Sequence, residues 1–119
     1  MLVWHGKLWL IDHGAALYFH HSPRDFVERA HEPFAPIKDH VLLSAATELD
    51  AADTWMASRL TPDVVAGVVA LIPDAWLDDD PLAASKPVQR EAYASYFARR
   101  LQAPRAFAQE AVRARSLHV

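Results

Sequence analysis

Leu8-Trp9-Leu10-Ile11-Asp12-His13-Gly14 decides how the chain is read: four apolar residues run into one carboxylate, and a glycine follows two places later. An apolar run of this length reads as a buried strand, which puts Asp12 at the strand's exit. Gly14 allows a turn with positive φ that other residues resist. A carboxylate held there by a rigid strand is the kind of group that ligates Mg²⁺ beside a nucleotide phosphate. The alternative is that Asp12 only caps the next segment. Upstream, Leu2-Val3-Trp4 is a second apolar run, separated from the first by His5-Gly6. A two-residue, glycine-containing link between strand-like segments is a hairpin signal. A two-stranded ribbon is marginal in water, so Trp4, Trp9 and Leu10 are expected to pack on helices.

Downstream, Ala15 to Phe19 has no polar member, and Ser22-Pro23-Arg24-Asp25 reads as a helix start with serine as cap. His31-Glu32-Pro33-Phe34-Ala35-Pro36 then breaks the pattern, because proline bars helix continuation, and reads as a loop that can move. From Ile37 the texture is helical. Ile37, Val41, Leu42 and Ala45 make one stripe; Asp50 caps a helix bearing Ala51, Trp55, Met56 and Leu60. Thr61-Pro62-Asp63 combines a capping threonine, a first-turn proline and an acid at the positive helix end. Val64, Val65, Val68, Val69 and Ile72 form a stripe wide enough for a buried helix. Gly67 inside it either weakens that helix or admits a close neighbour. Asp74 to Leu77 reads as a short helical turn, Asp78-Asp79-Asp80-Pro81 as a solvated break, Pro87 to Leu101 as a helix, and Pro104 as the opening of a last one.

The quoted residues, extended to Met1-Leu2-Val3-Trp4 on one side and Ala15-Ala16-Leu17-Tyr18-Phe19-His20-His21 on the other, resemble the C-terminal lobe of the HipA-like kinases. Pro36 to Leu43 and Pro73 to Leu77 also fit that half. In the family, Ile11-Asp12-His13-Gly14 stands where protein kinases carry Asp-Phe-Gly, so the resemblance implies Asp12 as a Mg²⁺ ligand and ATP as cofactor. It also implies a fold: an N-terminal β-hairpin followed by a mainly α-helical bundle, like the helical C-lobe of a protein-kinase-like fold. Residues 1–119 are expected to form a single domain, with the hairpin and metal-binding turn in 1–21 and the bundle in 22–119. The loop at 31–36 falls where an activation segment would lie.

The family's glycine-rich phosphate loop, nucleotide-contacting lysine, catalytic aspartate and metal-binding asparagine all precede this hairpin, and none is in these 119 residues. The expectation is a portion of a kinase, inactive alone, that pairs with an N-terminal kinase half or with itself. No residue of this chain is assigned a catalytic role. The alternative is a non-catalytic helical interaction module. A third possibility draws on Asp12, His13, His20 and His21 as a metallohydrolase site, but the familiar zinc spacings are absent. His20 and His21 are adjacent, and on an extended segment would point in opposite directions. His13 and His40 read as local turn residues.

Composition narrows the rest. With 52% hydrophobic and 23% charged residues the chain is not of the disordered class. The absence of cysteine excludes disulfides and suits the cytoplasm. No apolar run approaches the ~20 residues of a membrane span, and the first residues lack a signal peptide's basic region. The net charge of −3 gives no nucleic-acid signature. Charge is nonetheless uneven: residues 46–80 are acidic and residues 86–115 are rich in arginine. Either the second half is a basic face, or the two halves face each other across the fold. No aromatic residues interleave with the arginines in an evident stacking pattern.

Overall fold

The hairpin is built as its turn chemistry dictates. β1 (Leu2–Trp4) pairs antiparallel with β2 (Lys7–Trp9) in the register Leu2 to Trp9, Val3 to Leu8 and Trp4 to Lys7. Both turn residues have positive φ, 50° at His5 and 69° at Gly6, as a type I′ turn requires, and that turn matches the strand twist. The computed structural model describes residues 2–11, 13, 17, 26–77 and 84–117.

The expected burial of this ribbon is not found. Trp4 is 59% exposed and Leu10 66%, and Val3, Leu8, Trp9 and Ile11 are exposed as well. The reason lies in the register. Trp4 and Lys7 share one face while Val3 and Leu8 share the other, since side chains alternate along a strand. A ribbon apolar on both faces cannot hide itself by resting one face on a helix.

Four α-helices follow among the described residues: α1 (Leu49–Arg59), α2 (Pro62–Ala70), α3 (Lys86–Arg100) and α4 (Ala106–Ser116). The chain is mainly helical with a small N-terminal hairpin. Thr61 caps α2 by accepting from the Val64 amide at 3.4 Å, with Pro62 in the first turn. Asp50 lies inside the first turn of α1 rather than at its cap, which is Glu48. The expected helical stripe from Ile37 to Ala45 is instead a 3₁₀ turn, Ala35–Asp39, followed by turns. His40 breaks it: its backbone is extended, and its ring Nδ1 accepts the Leu42 amide at 3.2 Å. Such local side-chain bonding competes with a helical ladder. Further 3₁₀ turns span Glu28–His31 and Asp74–Trp76. The helix start read at Ser22 and the acidic break at Asp78 to Pro81 lie outside the described residues.

Packing is by short segments. α2 lies on α3, α3 on the Glu28–His31 turn, α4 on the Ala35–Asp39 turn, and α1 on α4. Among the described residues the buried apolar ones are Ala30, Leu43, Val69, Leu77, Ala111 and Ala114, half of them alanines. Of the stripe read as a buried helix, Val69 is buried, Val65 and Ile72 are half-buried, and Val64 and Val68 are exposed. Nothing lies within 4 Å of a Cβ built on Gly67, so no close neighbour requires glycine there. Gly67→Ala is therefore expected to stabilise the chain by about 0.5–1 kcal/mol, read as a higher denaturation midpoint with an unchanged slope.

The uneven charge resolves into pairs across the fold. Arg105 grips Asp53 of α1 through two bonds of 2.7 Å. Arg90 of α3 bonds Asp74 and, at 2.7 Å, the Ile72 carbonyl. These pairs favour facing halves over a free basic face. No helix among the described residues is long and apolar enough to cross a membrane.

Candidate functional site

The residue assigned to Mg²⁺, Asp12, lies outside the described residues, as do His20 and His21. His13 is described and exposed. Among the described residues no three His, Asp or Glu side chains gather where they could hold a metal ion.

What the described residues do build is an open groove of about 1210 Å³. Its walls come from α1, the last turn of α3, the first turns of α4 and the two 3₁₀ turns at 28–31 and 35–39. Along α1, Leu49, Ala52, Asp53, Met56, Ala57 and Leu60 line it at helical spacing. Of the stripe expected from the sequence, Met56 and Leu60 are on this face and Ala51 and Trp55 are not. Trp55 points to solvent, with the Arg59 guanidinium 4.4 Å from its ring centre. Across the groove stand Phe26, Phe34, Tyr96, Phe97 and Phe107. Phe26 and Tyr96 have ring centres 5.9 Å apart, and Tyr96 meets Phe97 edge-on at 5.4 Å.

Arg100 organises this wall. Its Nη1 donates to the Ala30 and Glu32 carbonyls, both at 3.0 Å. Its guanidinium carbon lies 4.8 Å from the Phe107 ring centre and 6.0 Å from that of Tyr96. The segment read as a loop that can move, residues 31–36, is thus tied to α3 at its Glu32 carbonyl, and the turn before it at the Ala30 carbonyl. Arg29 adds a fork onto Glu32 at 3.0–3.1 Å. The stacking that the sequence did not suggest is present twice within single helices, at Trp55–Arg59 and Tyr96–Arg100, and once between helices, at Arg100–Phe107. Both pairs within helices are spaced i, i+4, where helical side chains meet, and that spacing is the signal that could have found them. Phe107 is brought in by tertiary packing and has no such local signal.

The ion pairs set the charge of the groove. A hydrogen bond from Arg105 holds the Asp53 carboxyl below its usual range, and one from Arg29 does the same for Glu32. Arg90 lowers Asp74 and Arg113 lowers Glu110 in the same way. Burial pushes the Tyr93 phenol up. A carboxyl whose folded pKa is depressed stabilises the fold above its unfolded value. That contribution disappears as pH falls through the lowered folded value. Stability is therefore expected to be level near neutral pH and to decline below about pH 4.5. Urea midpoints measured from pH 7 to 3 check this, and Asp53→Asn should flatten the decline.

Comparison with protein-family models, with curated proteins and with solved structures returns no match to this chain.

Proposed function

We propose that these 119 residues are the helical C-terminal-lobe portion of a HipA-like kinase, an ATP- and Mg²⁺-dependent phosphotransferase, and that they transfer no phosphate by themselves. In this reading Asp12 would hold Mg²⁺, which would supply charge neutralisation beside nucleotide phosphates. Further polypeptide closes over the exposed apolar surface, and the setting is cytoplasmic.

The observation that supports it is surface. A folded chain of 13.3 kDa ordinarily exposes about 6,500 Å², whereas this one exposes 9103 Å². Its Cα radius of gyration is 16.2 Å, against about 13.5 Å for a compact chain of this length. A chain that leaves so many tryptophans, leucines and valines in water is built to be covered.

Titrating Mg²⁺-ATP into the native chain and into Asp12→Ala tests the assignment. Weak binding that needs the metal and is lost in the variant is the expected result. Equal binding by both proteins would remove Asp12 from the site. Phosphorylation of the chain itself or of a protein substrate would overturn the view that it is inactive alone.

The groove favours a second reading, a non-catalytic helical module that binds polypeptide. Under it, neither protein responds to Mg²⁺-ATP while association persists.

A further inference from the structure

The hairpin and the groove are two apolar surfaces on one chain, and neither covers the other. Val3, Trp4, Leu8, Trp9, Leu10 and Ile11 are exposed, and no residue of 2–11 lines the groove. We propose that the occupant of the groove is the hairpin of a second copy of this chain, each copy lending its ribbon to the other in a two-fold dimer. The proposal rests on the reading that the groove takes polypeptide, and not on Asp12 or on phosphoryl transfer.

Three observations support this occupant. The first is area: each chain exposes about 2,600 Å² more than a compact chain of its mass, or about 5,200 Å² for two copies, and obligate dimers bury about 2,000–5,000 Å² or more summed over both partners. The second is shape. The groove is open and about 1210 Å³, larger than the roughly 300–1,000 Å³ of a small-molecule site, whereas a ribbon bearing two tryptophans is a bulky apolar insert. The third is the two-sided hairpin. Lying in a groove covers both of its faces at once, which resting on a flat helix layer cannot do. Reciprocal exchange also uses each surface once, so the assembly closes at two chains rather than growing into a filament.

The chain has no cysteine, so one pair can be introduced cleanly: Leu8→Cys on the ribbon and Met56→Cys on the groove wall, both positions exposed. Sedimentation of the parent chain should give a dimer. Mild oxidation of the double variant should give a covalent dimer whose peptide map contains a residue 8 to residue 56 disulfide, while each single variant forms no such link. Leu8→Asp, on an exposed strand, should leave the helical circular dichroism unchanged and abolish the dimer. A parent chain that stays monomeric across the concentration range overturns the proposal. So does a dimer without the 8–56 link, or an 8–56 disulfide closed within one chain. None of these results bears on the Asp12→Ala titration, so failure here and failure of the kinase reading are separable.

Discussion

Leu77→Ala is expected to lower the stability of the chain by about 2–4 kcal/mol, whereas Trp76→Ala, one residue earlier and a larger deletion, should leave it within about 0.5 kcal/mol. Leu77 is 5% exposed and Trp76 78%. The contrast follows from what each side chain loses. Truncating a buried leucine forfeits its transfer free energy and leaves a void that the surroundings only partly close. Truncating a tryptophan that already meets water forfeits little. The effect at Leu77 is large here because, among the described residues, only five other apolar side chains are buried and three of them are alanines, which offer little to move into a void. Chemical denaturation of the two variants side by side checks it. A Trp76 variant as damaged as the Leu77 variant would mean that Trp76 is covered in solution.

Arg100→Met should cost about 2–3 kcal/mol, the sum expected for two charge-assisted hydrogen bonds, partly regained from water, and one cation–π contact. The guanidinium bonds two carbonyls, those of Ala30 and Glu32, and lies against Phe107. Ala30 is buried, so its carbonyl is poorly placed to find water once the donor is gone. Arg100→Lys should recover less than half of the loss, because an ammonium lacks the planar fork and stacks less well on a ring. Amide hydrogen exchange gives a local readout: protection at residues 30–37 should fall in both variants, while α2, to which none of these Arg100 bonds runs, keeps its protection.

Features set by neighbouring residues were legible in the sequence. His5-Gly6 between two apolar triplets led directly to the observed turn, since only certain residues accept positive φ. Thr61-Pro62 led to the capped start of α2. Burial was not legible. Periodicity says which side of an element is apolar but not whether anything covers that side. For that reason Leu8 to Ile11 and the valines of α2 were read as interior, whereas most of them meet solvent. The failure at Ile37 to Ala45 has a different origin. The stripe there has helical spacing, but His40 diverts the backbone by bonding the Leu42 amide. The groove joins residues as distant as Phe34 and Phe107, a meeting that no local pattern announces. Asp12, on which the chemical reading rests, lies outside the described residues.

Side chains that already meet water in the native chain add nothing to the heat capacity of unfolding. In the single chain, with no second copy on it, Val3, Trp4, Leu8, Trp9 and Leu10 are already half or more exposed, and that increment falls below the usual ~12–15 cal/mol/K per residue. The curve of stability against temperature is correspondingly shallow. Warming and cooling then change this chain's stability less than they would for a compact chain of equal length.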